Sequence, residues 1–119
     1  MQGMKYHHVG IPTTIPREGE QHLADHKVYH CGYEESPYGV EWMRFEPGCL
    51  VPELVRRVPH VAFVVDDLAA AIAGKEILIA PNSPSEGVTV AFIVDHGAPI
   101  ELMEFASPEV EQRWSKGFE

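Results

Sequence analysis

Apolar and polar positions alternate most cleanly in the second half of the chain. From His60 to Val65 the run reads as a strand, with His60, Ala62 and Val64 on one face and Val61, Phe63 and Val65 on the other. The period then changes. Asp66 or Asp67 is placed to cap a short helix carrying Leu68 and Ile72 four apart, which Gly74 stops. Ile77 to Ala80 reads as a strand, Pro81 to Gly87 as a loop, Val88 to Val94 as a strand, Asp95 to Gly97 as a turn and Pro99 to Phe105 as a strand. The order is βαβββ. A last helix is announced by Ser107 as cap with Pro108 at the first helical position; it carries Val110 and Trp114 on one face and ends at Gly117.

The first half repeats this pattern less regularly. His8-Val9-Gly10-Ile11 opens a strand as His60-Val61-Ala62-Phe63 does, and Ser36-Pro37-Tyr38-Gly39-Val40 is echoed by the loop from Ser83 to Val88. Val40 and Glu53 are separated by the same interval as Val88 and Glu101, which aligns Glu53-Leu54-Val55 with Glu101-Leu102-Met103. Three similarities in one order indicate a duplication. Ile15 to Asp25 holds Pro16, Gly19 and several charges without an apolar stripe, predicting a loop or at most a short helical turn. Val28 to Tyr33, Val40 to Glu46 and Leu50 to Val55 are expected as strands. The fold class is therefore α+β: one domain of two βαβββ modules, 4–57 and 58–106, the first with its helix reduced or absent, and a C-terminal helix at 107–117.

Composition limits the partners. A chain of 119 residues suits one domain, and a formal net charge of −9 without a Lys/Arg cluster disfavours nucleic acid and anionic membrane surfaces. Cys31 and Cys49 lack the spacing of a zinc or redox motif, and no run approaches the roughly 20 apolar residues of a membrane span. The expectation is a cytoplasmic protein. Met4 is a possible natural start, with Met1 to Gly3 a remnant.

Strand parity also brings out candidate chemistry. His8 shares its face with Gly10 and Pro12, and His60 shares its face with Ala62; such small neighbours leave room for an ion or ligand. Glu101 falls on the face opposite Ile100 and Leu102, and a carboxylate enclosed there needs a cation. The repeat gives Glu53 the equivalent place. His8, Glu53, His60 and Glu101 form the expected metal site, formally neutral with a divalent ion and suited to Zn, Ni, Co, Mn or Fe(II). His7 competes with His8, but parity sends it to the other face. His22, His26 and His96 read as surface residues; His30, on a strand, is placed to reach the cavity, and Glu41 reads as an exposed strand residue, with a base standing behind the metal ligands as the alternative.

These residues resemble the vicinal oxygen chelate superfamily, which includes glyoxalase I and bleomycin-resistance proteins. The resemblance rests on His8-Val9-Gly10-Ile11, on His60-Val61-Ala62-Phe63 leading through Asp66-Asp67-Leu68 into a helix, and on Pro99 to Phe105. It implies two modules curled into an open eight-stranded barrel, with the metal at positions matching His8, Glu53, His60 and Glu101. Two glutamates look most like the lyase and isomerase branch, in which one carboxylate, Glu53 or Glu101, shuttles a proton; the iron dioxygenases usually have one. No arginine pair suits glutathione, since Arg56 and Arg57 sit in the linker and only Arg44 is otherwise near.

The expected function is that of a metal-dependent lyase or isomerase acting on a small oxygenated molecule, in a homodimer. The alternative is a non-catalytic binding protein of the antibiotic-resistance kind, using Trp42, Tyr38 and Phe45 for stacking.

Overall fold

A computed structural model describes residues 3–115 of the chain. It is a mostly-strand α+β fold in which an open, strongly curled sheet of eight strands forms a half-barrel, with three short helices. In chain order the elements are β1 (Met4–Pro12), β2 (Gln21–Leu23), a 3-10 turn (Ala24–His26), β3 (Val28–Cys31), β4 (Val40–Phe45), α1 (Glu53–Arg57), β5 (His60–Val65), α2 (Leu68–Ile72), β6 (Glu76–Ser85), β7 (Val88–Asp95), β8 (Ala98–Phe105) and α3 (Pro108–Trp114).

The spatial order β2-β3-β4-β1-β5-β8-β7-β6 reads the same outward from its centre once β1 is equated with β5, β4 with β8, β3 with β7 and β2 with β6. Pairing directions follow that equivalence. β1 and β5 run antiparallel at the centre, while β4 lies parallel to β1 and β8 parallel to β5. The duplication is thus present as an approximate two-fold arrangement of strands.

The two faces of the second module separate as alternation requires. Val65, Leu68, Ala91, Ile93 and Leu102 form one core with Phe63 and Ile100, covered by α2. Ala62, Val88, Val90 and Met103 form another on the opposite face, joined by Phe105 and by Val110 of α3. Both helix starts carry the expected caps: the Asp67 side chain accepts from the Ala70 N–H, and Ser107 Oγ accepts from the Val110 N–H with Pro108 following. Gly117, the expected end of α3, and Met1 and Gln2 lie outside the described residues.

Between the first strand and Lys27 a loop or at most a short helical turn is expected; residues 13–20 contain no helix, and the 3-10 turn follows at Ala24–His26. A polar and aromatic stack takes the place that α2 has in the second module. Arg17 lies over the Trp42 ring at 4.2 Å, Glu20 accepts two bonds from Arg44 at 2.9 and 2.7 Å, and Arg44 lies over Tyr29 at 4.2 Å. His22 stacks on the same tyrosine and meets Glu46.

Three expectations are corrected. Leu50 to Val55 is not a strand: after Pro52 the chain turns into α1, with Glu53 in the first turn and Arg56 and Arg57 in the last, where their charges suit the helix dipole. Only Val55 of this helix is buried, and Leu50 is fully outside the core. Pro81 to Gly87 is not a loop as a whole, because β6 continues to Ser85 through three register irregularities. Its prolines are tolerated because β6 is an edge strand, where one side of the backbone has no ladder to complete. Finally, Gln21–Leu23 forms a short strand inside the segment expected to be loop.

Candidate metal centre

The four central strands, β4, β1, β5 and β8, bring the candidate residues together. His8, His60 and Glu101 offer ligand atoms that all lie within 4.8 Å of one another, a group that could hold a metal ion. His60 Nε2 is 3.1 Å and His8 Nε2 3.2 Å from the same oxygen, Glu101 Oε1. All three residues are buried, His60 almost completely.

Each position has a local cause. Gly10 pairs directly with His60 across β1 and β5, and a Cβ at Gly10 would come within 2.2 Å of His60 Cε1. The imidazole therefore occupies the space that a side chain would fill. Phe92 closes the other side, its ring meeting His60 edge-on at 5.0 Å. Glu101 pairs with Phe92 on β7 and Ala62 on β5, which aims it at the same face. His60 Nδ1 is buried with no hydrogen-bond partner among the described residues, so the polar contacts of this ring are made through Nε2.

His7 is on this face too, contrary to simple parity. The register between β1 and β5 shifts between Tyr6 and His8, so His7 is an extra residue in a β-bulge and neighbouring histidines turn the same way. His7 Nδ1 lies 2.7 Å from His8 Nδ1, and His7 Nε2 lies 2.6 Å from the Trp114 carbonyl oxygen at the end of α3. Its ring stacks on Tyr33 at 5.0 Å.

Glu53 is not part of the group. It sits on α1 with a side chain 68% exposed and pairs with Arg57 one turn on. The physical reason is the register of the duplication. Because β4 corresponds to β8, Val40 has no counterpart in Val88, and the equal spacing from these valines to Glu53 and Glu101 is coincidental. The pairings give the true equivalence: Gly10 lies opposite Glu41 as Ala62 lies opposite Glu101, each two residues beyond a histidine. Glu41 is thus the partner of Glu101 in the first module. Its Oε1 is 3.8 Å from His8 Nε2, and its Oε2 is 3.1 Å from His30 Nδ1. The signal was present in the sequence, since Glu41-Trp42-Met43-Arg44-Phe45 and Glu101-Leu102-Met103-Glu104-Phe105 share Glu, Met and Phe at the same intervals.

Electrostatics matches this geometry. Burial opposes the charge of Glu101, but the hydrogen bonds from His60 and His8 outweigh it and hold the carboxyl well below the usual carboxylate range. Burial likewise works against a charge on His8, and the Glu101 contact, with Glu41 beyond, carries its pKa above the ordinary imidazole value. His7 moves the other way, lowered by burial and by the neighbouring His8. The hydrogen bond to Glu41 raises His30.

The donor set fits a divalent cation. Ligand atoms held about 2.0–2.2 Å from one centre lie roughly 2.9–3.5 Å apart at cis-octahedral or tetrahedral angles, and the two imidazole-to-carboxylate separations are 3.1 and 3.2 Å. Two nitrogens and one or two carboxylate oxygens are ligands that Zn, Mn, Fe(II), Co and Ni all accept.

Compared with known proteins, the chain matches no family model and no curated sequence. No helix among the described residues is long and apolar enough to cross a membrane.

Proposed function

We propose that the chain is a divalent-metal-dependent enzyme of the lyase or isomerase type, acting on a small oxygenated molecule whose oxygen atoms reach the face carrying His8, His60 and Glu101. The observation that carries this reading is the convergence of the three ligand atoms with a further carboxylate, Glu41, at the symmetry-equivalent position. A bound divalent cation would supply polarisation of a substrate oxygen, making the adjacent C–H bond more acidic.

The chain's own groups would then handle the proton. Glu41 stands at the edge of the group, hydrogen-bonded to His30 and 3.8 Å from His8, so it would face a substrate there while Glu101 stays between the two imidazoles. As a carboxylate it would take the proton from carbon. Returning it to the neighbouring carbon completes an isomerisation, and loss of a β-leaving group instead completes an elimination. Glu101, fixed by two imidazoles, serves as ligand rather than base. This assigns to Glu41 the proton transfer expected of Glu53 or Glu101. Glutathione remains a poor substrate candidate: Arg44, engaged with Glu20 and Tyr29, is on the other face.

A second reading is a small-molecule binding protein without turnover. It is favoured by the direct contacts of both imidazoles with Glu101, which also suit a purely structural polar core. Trp42 is not available for stacking on this face, because it points away from Glu41 and Arg17 covers its ring. Metal-loaded protein assayed for loss of the α-proton of hydroxy-carbonyl compounds in deuterated water separates the two. Deuterium uptake that is abolished in Glu41→Gln supports the enzyme; ligand binding with no exchange for any compound supports the binding protein.

A further inference from the structure

We propose that His7 is a positioning residue that fixes the tautomer of His8, with the Trp114 carbonyl of α3 as the fixed point of a three-member relay. The proposal rests on the reading of His8 as a metal ligand.

The hydrogen-bonding groups leave one direction for the relay. A backbone carbonyl oxygen only accepts, so His7 Nε2, 2.6 Å from the Trp114 oxygen, carries a proton. A neutral imidazole has a single N–H, which makes His7 Nδ1 an acceptor. His7 is buried against the Tyr33 ring, and no carboxylate hydrogen-bonds to it among the described residues, whereas Glu101 and Glu41 both face His8, so a second proton on the pair sits with His8. The proton between His7 Nδ1 and His8 Nδ1, 2.7 Å apart, therefore belongs to His8. The reverse direction would set the lone pair of His7 Nε2 against the Trp114 carbonyl oxygen.

With its proton on Nδ1, His8 presents Nε2 to Glu101 at 3.2 Å and to Glu41 at 3.8 Å. In the metal-free chain the contact with Glu101 is a hydrogen bond made by a further proton on Nε2, and a bound cation would take that proton's place while the Nδ1 proton stays with His7. The relay thus prepares the Nε2 of His8 as the ligand atom. The device belongs to the first module only. It depends on the bulge that adds His7 to β1, and the residue before His60 is Pro59, which has no such ring. His60 is held by shape instead, between Gly10 and Phe92, with Nδ1 unpartnered. One ligand is set by hydrogen bonding and the other by packing.

Two measurements on the full chain test this. In metal-free protein with ¹⁵N-labelled histidine, NMR at mildly alkaline pH is expected to show His7 protonated on Nε2 and His8 protonated on Nδ1. Protonation of His7 on Nδ1 overturns the relay whatever the metal does. In zinc titrations, His7→Leu is expected to weaken binding about 10- to 100-fold, the usual consequence of losing the group behind a metal-bound histidine. His7→Asn, whose side-chain oxygen can stand where Nδ1 accepted, is expected to recover most of that loss. Melting of the metal-free variants shows whether both fold; should His7→Leu fail to fold, an Asn variant that binds as the natural chain does supports the relay, and one weakened 10-fold or more overturns it. Equal zinc affinity of a folded His7→Leu variant and the natural chain also overturns it. A natural chain that binds no zinc, nickel, cobalt, manganese or iron ends the metal reading instead, and the ring protonation pattern then decides the relay alone.

Discussion

Gly10 shows how a single residue sets the site. Its backbone is not in the left-handed region, so glycine is there for space: a methyl group would press into the His60 ring at 2.2 Å. Gly10→Ala is expected to cost about 1–3 kcal/mol, as overpacking does, and to lose metal binding while the fold survives; denaturant unfolding and metal titration of the variant check both. Glu53 and Glu41 make the opposite pair. Glu53→Ala removes an exposed ion pair and is expected to change stability by less than about 0.5 kcal/mol with metal affinity unchanged, whereas Glu41→Gln is expected to weaken binding measurably in the same titration. His8, His60 and Glu101 were legible because parity and small neighbours are local properties of a strand. Glu41 was not, because an equal spacing across the wrong strands concealed the shared Glu-x-Met-x-Phe pattern. His7 was misplaced because a bulge inserts one residue, and alternation cannot reveal an insertion that only strand pairing defines.

At the scale of elements, legibility follows how much local chemistry each one carries. β5, α2, β7 and α3 announce themselves through alternation, caps and a two-residue turn at His96-Gly97, both with positive φ. Asp67→Ala is expected to destabilise by about 1 kcal/mol through loss of the cap on α2, read as a lowered midpoint in thermal or urea unfolding. α1 is a poorer signal. Leu50, Val51, Leu54 and Val55 satisfy either a short strand or a helical turn, and the exposure of Leu50 shows that hydrophobicity alone is a weak guide in so short a run. The continuation of β6 through Pro81 and Pro84 was illegible for a different reason: whether a strand tolerates proline depends on its being at the edge, which is a property of the sheet.

In the whole molecule, the approximate two-fold places one His and one Glu of each module on the central strands, so that a single site is assembled from both halves. A two-module sheet could be anticipated from the repeat, and the reduced first helix from the lack of an apolar stripe between Ile15 and Asp25, but the outermost strand of the first module and the register that joins the halves could not. Acid should act on the assembled site in two ways. Glu101 has a folded pKa below its unfolded value, so its contribution to stability is present above about pH 4.3 and is lost as pH falls through the depressed folded value. His8 has a raised pKa, and its extra proton must leave before Nε2 can bind a cation, so affinity is expected to climb with pH from about 6.5 upward. Metal titrations at a series of pH values check the second effect, and acid unfolding of metal-free protein against Glu101→Gln checks the first. The central claim is that His8, His60 and Glu101 hold a divalent cation, and metal content by mass spectrometry tests it most directly. After incubation with Zn, Ni, Co, Mn or Fe(II) and removal of free ion, the natural chain and Glu53→Ala are expected to retain stoichiometric metal, and folded His60→Ala and Glu101→Gln to lose it. A natural chain that retains none of these ions, or a His60→Ala variant that retains as much as the natural chain, would contradict the account.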